Sequence, residues 1–503
     1  MPATFLFRPL VPVWPDANGR TILVWMRGGY CVNRGEWTAA VAATILPAPV
    51  NQRDAFVRKG DIPVASEPVW ATRMSPLRNA ITISSVLIQQ LAPKSIMKFP
   101  CHTPSTSAAV VLSICLGLTS LSASDWPHWL GPDGSNRISD PAFKSDLAKY
   151  SSAWEAKIGR GYSSVIVAGG KAFAVGHDEK TGETVFCFDA ATGKELWKHA
   201  YPAELLPRMH PGGPNASATI IGSHVLTLSK DGQLFCLNAA DGAKVWETKL
   251  PAAMGVQVPQ WGFGGSPVAS GKHILISAGK VIALEADTGK TVWISKEEYP
   301  AAYATPVPFE LNGQPFIAAM NGKGLSVLSG KDGTELGHRP LKAQFDLLAP
   351  TPIVLDQGKR IFISANASSE LLAFDGKALS LVWETKELKN ALNNSVAVNG
   401  TIYGIDGRQG TPNCRLVAMN LADGKVLWTK DNFGYGTTIG VGDSLLALTE
   451  IGELITARLS PASYEELGRR QVLGKTCWTT PTVANGRIYV RNDQGALVCL
   501  AAN

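Results

Sequence analysis

A chain of 503 residues, 45% hydrophobic and 17% charged, is long enough to bury a large core and too apolar to remain unfolded. Its net charge of +6 is unevenly placed: residues 1–96 carry 10 basic and 5 acidic side chains, Lys98 adds one, and residues 125–503 hold 36 of each sign. The greater part of the chain therefore has no basic surplus for nucleic acid or an anionic membrane surface.

Residues 1–96 carry no repeat and are rich in Pro and Arg, including Arg8, Arg20, Arg27 and Arg34; they are expected to be a leader outside the main fold, disordered or lying before the true start. Residues 97–124 read as a secretory signal. Met97-Lys98 opens a polar stretch, Ala108–Leu121 is a 14-residue apolar run too short to span a bilayer, and Ser122-Ala123-Ser124 is a small-residue cleavage site. Such a segment predicts a periplasmic or secreted protein starting near Asp125, with no membrane span after cleavage. Residues 125–150 contain Trp126-Pro-His-Trp129-Leu-Gly-Pro and are expected to form an arm that anchors on the flank of the main domain.

Residues 151–503 are periodic. Phe186–Trp197 (FCFDAATGKELW) is an apolar strand, an Asp/Thr/Gly turn and a Trp; Leu234–Trp246, Val281–Trp293 and Leu416–Trp428 repeat it, and Leu371–Trp383 is a looser copy. Trp154, Trp197, Trp246, Trp293, Gly337, Trp383 and Trp428 mark the same position at intervals of 43 to 49 residues. Each unit alternates short apolar runs with turn signals, giving four strands, the pattern of a propeller blade. A degenerate seventh unit covers Thr437 to Gly468. An eighth begins at Trp478 and ends after its third strand, while Ser152–Ile158 is a Trp-bearing strand with no unit of its own. Pairing the two predicts an all-β, eight-bladed propeller with no open sheet edge. Cys187, Cys236, Ala283, Ala418 and Cys499 share one small-residue position, read as a place where blades approach closely.

In this architecture the residues leading into each first strand ring one mouth of the axial channel, joined by the turns after the second strands. The candidate ligand residues are Arg208, His210, Trp261, Tyr303, Asn394, Asp406, Tyr435, Glu450 and Trp478, with Tyr162 and Phe345 in equivalent places. Aromatics, amides and a few charges converging on a concavity suit a ligand site; the same aromatics could equally plug the channel. No GxSxG elbow surrounds the serines, and no CxxC or CxxCH occurs, which argues against serine hydrolysis, structural zinc and covalent c-type haem. No catalytic or metal residue is assigned.

The repeated A/C-x-(D/E/N)-A-x-T/D-G-K-x-x-W, with S/T-P-x-V opening the blades, resembles the pyrroloquinoline-quinone (PQQ) repeat. It is found in quinoprotein dehydrogenases and in the propeller lipoprotein of outer-membrane β-barrel assembly; some exported PQQ-like proteins are described as polyvinyl-alcohol dehydrogenase-like. There is no Trp-Asp dipeptide of the WD40 kind. The resemblance runs from Trp126 to Leu500 and implies a monomeric, exported scaffold binding a protein or small ligand at the mouth, without cofactor or catalysis of its own. The alternative it implies is a quinoprotein dehydrogenase oxidising an alcohol or sugar, with PQQ stacked on Trp261 or Trp478 and calcium near Glu450 or Asp406. A carbohydrate-binding or carbohydrate-cleaving propeller is a third. Against the enzyme, quinoprotein alcohol dehydrogenases present a vicinal Cys-Cys pair to the cofactor, and this sequence has none.

Overall fold

An Asp or Asn ahead of a Gly is a turn with a mechanism, and it repeats around this molecule. In the computed structural model, Asp189 Oδ1 accepts from the backbone N–H groups of Ala191 (3.1 Å) and Thr192 (2.8 Å), and Asn238 and Asn420 do the same two residues on. Each turn joins the third and fourth strands of a blade. Blade 1 consists of Ile166–Ala168, Lys171–His177, Gly182–Asp189 and Glu195–Pro202. Six more four-stranded meanders follow, ending with Gly436–Val441, Ser444–Thr449, Glu453–Arg458 and Glu466–Gln471 in blade 7. The first strands of successive blades lie beside one another, which places them innermost around the axis.

Blade 8 closes the ring as expected. Thr482–Ala484, Arg487–Arg491 and Ala496–Ala502 are completed by Tyr150–Lys157, antiparallel to the last strand with Cys499 opposite Trp154. The seam is further held by Arg491, fully buried, whose guanidinium donates to the carbonyls of Val175 (2.7 Å) and Gly159 (3.0 Å) and to Ser163 Oγ (3.1 Å). At Gly176 a Cβ would lie 1.7 Å from the Ile158 carbonyl oxygen, so only glycine lets blade 1 lie this tightly against the end of the closing strand.

Neighbouring blades are joined by the repeated Trp. The indole Nε1 of Trp154, Trp197, Trp246, Trp383 and Trp428 donates at 2.9–3.2 Å to a backbone carbonyl in the turn region of the following blade. The turn glycine packs against the same ring: a Cβ on Gly193 would meet Trp154 at 2.6 Å, and one on Gly242 would meet Trp197 at 2.5 Å. The small-residue position has a different origin from the one expected. Cys187, Cys236, Ala283, Ala418 and Cys499 each pair directly across from the Trp of their own blade, so a small side chain makes room for an indole on the same face. Burial pushes the Cys187, Cys236 and Cys477 thiols up to about 12, and all five cysteines among the described residues are unpaired.

Two joints lack the Trp. In blade 4, Gly337 leaves space that Leu379 of blade 5 fills at 3.5 Å. In blade 7, Gly468 faces the arm, where Ser145 O and Leu147 N lie within 3.2 Å of its would-be Cβ, beside the short 3-10 turn Leu147–Lys149.

The arm itself corrects the expectation of a flank. Asp125 Oδ2 accepts from Gly169 N, Trp126 bridges Val167 of blade 1, and Pro127 O accepts from Ile220 N of blade 2. Two residues later Trp129 Nε1 reaches Thr351 Oγ1 of blade 5 (3.1 Å), and Asn136 Nδ2 reaches Thr438 O of blade 7 (2.7 Å). Arg137–Ile138 then adds a parallel strand to blade 7, and Asp140 Oδ2 accepts from Gly486 N of blade 8. A chain that passes from blade 2 to blade 5 in two residues crosses the axis. The arm closes the channel at the face opposite the candidate mouth, because its indoles and amides find partners inside the ring that the outer wall does not offer.

The structure describes residues 124–343 and 347–503, together with the backbone of four earlier strands; the expected signal segment up to residue 123 and Phe345 lie outside the described residues. Residues 1–103 form a separate unit whose described elements are two hairpins, Trp14–Pro15 with Thr21–Ile22 and Val24–Asn33 with Glu36–Ile45. Among the described residues no helix is long and apolar enough to cross a membrane.

Candidate functional site

Ser, Thr and Asn residues at the openings of the blades form a belt around the axis. Ser164 N donates to Ser217 Oγ, Ser217 N to Ser266 Oγ and Ser266 N to Thr305 Oγ1, each at 2.9 Å, and Thr351 N donates to Asn394 Oδ1 at 2.7 Å. A short hydroxyl or amide is needed at each position because the acceptor must reach the preceding blade's backbone without filling the channel. Asn394 is therefore part of this belt, buried, with its oxygen already engaged.

Above the belt, on the mouth side, the structure gathers some of the expected residues and separates others. Trp478 stacks on Tyr162 (centroids 5.6 Å apart, 23°) and donates from Nε1 to Glu450 Oε1 at 2.7 Å. Glu450 Oε2 accepts from Gly410 N (2.9 Å). His210 meets the edge of Tyr162 at 5.4 Å, its Nδ1 accepts from Gly212 N (3.1 Å), and its Nε2 lies 3.5 Å from Lys230 Nζ. Trp261 and Tyr303 form a second aromatic pair, 5.6 Å apart. Asp406 is turned into the wall of blade 6, where it accepts from Lys389 N (2.9 Å) and Arg415 Nε (3.1 Å). Tyr435 is buried, its hydroxyl accepting from Leu392 N, and burial raises its pKa. Arg208 is exposed on the loop before His210, next to Met209 at φ 58°.

A layer of buried charge lies beneath these side chains, and the sequence reading had not singled it out. Glu183 and Lys230 are fully buried. Glu183 accepts from the Tyr201 hydroxyl (2.8 Å), and burial lifts its pKa to about 7. Burial lowers Lys230 to about 8 and, together with the Lys230 charge, holds His210 down at about 4, so His210 is neutral at pH 7. Asp493, buried beside Arg160 (3.4 Å), leaves its Oδ1 without a partner, as does the Tyr162 hydroxyl. Lys230 and Asp493 both sit in hairpins whose Asp-Gly and Asp-Gln-Gly turns read as ordinary surface. Arg491 had one signal: it ends an apolar run, Ile488-Tyr-Val490, on a strand whose residues 488–491 are all buried.

A calcium-supported quinone would need several uncommitted oxygens converging on one ion. Here Glu450 is engaged by Trp478 and Gly410, Asp406 by Lys389 and Arg415, and Asn394 by Thr351. Among the described residues no group of three or more His, Cys, Asp or Glu side chains converges as a metal site requires. The residues present do not fit a calcium-bound PQQ. Elsewhere, Ser326 Oγ touches both Glu335 Oε2 (2.6 Å) and His338 Nδ1 (3.2 Å), but there the hydroxyl, not the imidazole, is the bridge, the reverse of a nucleophile relay.

The family model described as outer membrane protein assembly factor BamB matches residues 181–430. No curated protein matches the chain. Among solved structures it is similar to quinohemoprotein alcohol dehydrogenase from Comamonas testosteroni, with TM-score 0.61 and 14% identity over 75% of this chain and 80% of that one. It is also similar to a europium-containing methanol dehydrogenase, with TM-score 0.61 and 11% identity over 75% and 98%. BamB from Moraxella catarrhalis aligns with TM-score 0.51 and 17% identity over 70% and 97%. At these identities the likeness carries the fold alone.

Proposed function

From the premise that the chain belongs to the PQQ-like β-propeller family, we propose that it is an exported binding scaffold, presenting the loops of its channel mouth to a protein or small ligand and performing no redox chemistry of its own. One observation carries this reading. Every acidic or amide oxygen that sequence reasoning offered to a cofactor at the mouth is held by a donor from the protein's own wall. Those bonds leave each oxygen a second lone pair but fix its direction, so an ion at the mouth would meet isolated oxygens rather than the several that a calcium site needs. Among the similar proteins, the BamB description speaks of assembly and the two dehydrogenases of alcohol oxidation; the chemistry at this mouth favours the former. Export is supported by the sequence, in which the apolar run Ala108–Leu121 followed by Ser122-Ala123-Ser124 has the pattern of a secretory signal.

The test is direct. Purified full-length protein incubated with PQQ and Ca²⁺ and then dialysed should retain no quinone absorbance and reduce no dye with alcohols or sugars. Retained quinone with turnover that is lost in Glu450→Gln would overturn the scaffold reading in favour of the dehydrogenase. N-terminal sequencing of the protein from its native host should start near Asp125, and a start at Pro2 would reject export by this signal.

A further inference from the structure

We propose that a basic cleft between blades 5 and 6, on the mouth face, binds an acidic segment of a partner polypeptide. The cleft has a volume of about 630 Å³, and its wall includes Lys342, Asn366, Lys389, Gly407, Arg408 and Thr411, with no carboxylate among the described lining residues. That volume lies within the range of about 300–1,000 Å³ that holds ligands in proteins. The three cations come from three different segments: Lys342 from the connection into blade 5, Lys389 from the connection into blade 6, and Arg408 from the second hairpin of blade 6.

Two of the three charges have no counter-charge among the described residues, and the third shares one. Among the described residues the side chains of Lys342 and Arg408 make no ion pair or hydrogen bond. Among the described residues Lys389 Nζ pairs with Asp406, at 3.8 Å. That carboxylate is already engaged by Arg415 Nε at 3.1 Å, and Arg415 is shared in turn with Glu387 at 3.0 Å. Where cations cluster elsewhere on this electroneutral propeller, acids stand among them, as Glu465 does beside Arg458 and Glu466 beside Arg469. Three like charges around one concavity repel one another, and an occupant bearing carboxylates removes that cost.

The chemistry of the donors points to the kind of occupant. A guanidinium offers paired N–H groups matched to a carboxylate, and two flexible ammonium groups accept further carboxylates along a chain. Asn366 adds a neutral amide, suited to a backbone carbonyl. Charges rooted in three loops suit carboxylates in series, as in an Asp/Glu-rich segment, better than a single compact anion. This site deepens the scaffold reading by naming the chemistry of the partner, and it rests on that reading.

The experiment titrates the full-length protein with a fluorescein-labelled oligo-glutamate peptide at low ionic strength, followed by anisotropy. Saturable binding that weakens with added salt is expected. Lys342→Glu combined with Arg408→Glu should weaken it about tenfold or more, the equivalent of about 1.4 kcal/mol. Both side chains are exposed and unpaired, so the double variant should melt with the wild type. Lys180→Glu, a reversal on the exposed hairpin of blade 1, should leave the affinity unchanged. Equal binding by wild type and double variant, or equally tight binding of oligo-lysine, would overturn the site. Displacement of the peptide by an equal concentration of inorganic phosphate would overturn its assignment to a peptide. Failure of the scaffold reading is seen separately, as quinone retention and turnover, and leaves this titration readable.

Discussion

The two ends of the channel are built on opposite principles. At the back, the arm is mostly apolar and largely matched: Trp126 is 1% exposed, Asn136 Nδ2 donates to carbonyls of blades 6 and 7, and the one buried acid of the arm, Asp140, accepts from Gly486 N, leaving Asn136 Oδ1 as its orphaned atom among the described residues. At the mouth, Glu183, Lys230, Arg491 and Asp493 are buried with shifted pKa values or incomplete partners, and the loop from Leu206 to Met209 holds two non-glycine residues at φ 46° and 58°. Burying charge and holding side chains in the left-handed region both cost stability, and such costs gather where a surface does something other than fold. The back end stabilises the ring, while the mouth retains unfavourable chemistry that the ring tolerates.

The largest expected effect tests the stabilising end. Trp126→Ala removes a buried indole that packs on blade 1 and against which Gly131 sits, its would-be Cβ 3.2 Å from the ring. Loss of about 3–5 kcal/mol is expected from the cavity and the lost burial, read from urea unfolding of the full chain. A loss below about 1 kcal/mol would mean that the arm lies on the ring without bracing it.

Next in size is a test of the costly end. The Glu183 carboxyl, ordinarily near 4.5, is lifted to about 7 in the folded protein, so its contribution to stability is complete below about 4.5 and is lost as pH rises through 7. His210 acts the other way in the same window: held down to about 4 from 6.5, it destabilises the fold as pH falls. Total stability against pH mixes the two, and only a difference isolates one. The stability of Glu183→Gln minus that of wild type should rise by about 3 kcal/mol between pH 4.5 and pH 8, because the amide never charges. A flat difference would place Glu183 in contact with water and remove the contrast between the two ends.

The contrast also explains what could be read from the sequence. Ring, blade number and closure were legible because each rests on local chemistry repeated at a period: the Asp189 turn, the Gly193 contact and the Trp197 indole recur with the same partners around the circle. The arm's course was not legible, since the partners of Trp129 and Asn136 lie 222 and 302 residues away in sequence and belong to no motif. At the mouth, residue types were read correctly while their commitments were not. Asn394 and Asp406 look like ligands in a list of side chains, yet each is bound to its own wall by backbone groups that no side-chain pattern reveals. Lys230 was invisible for the opposite reason. A lysine before Asp-Gly reads as solvent-facing, and only the packing of Gly262 against its stem, where a Cβ would lie 2.1 Å from Lys230 Cγ, shows that it is enclosed.

The smallest effect sharpens the comparison at a single carboxylate. Glu450 joins the two aromatic and loop components of the mouth, accepting from Trp478 Nε1 at 2.7 Å and from Gly410 N at 2.9 Å. In Glu450→Gln the side chain keeps an acceptor but loses the charge that strengthens both bonds. About 1 kcal/mol of stability should be lost, with a shift in Trp fluorescence as the Trp478 contact loosens against Tyr162. Glu450→Ala leaves both donors without the carboxylate and should cost more than Gln by about 1 kcal/mol. An unchanged or increased stability in Gln would show the opposite, that the Glu450 charge is strained in the free protein and is kept for a ligand that neutralises it. The sign of this small change therefore separates a carboxylate that belongs to the wall from one that is waiting at the mouth.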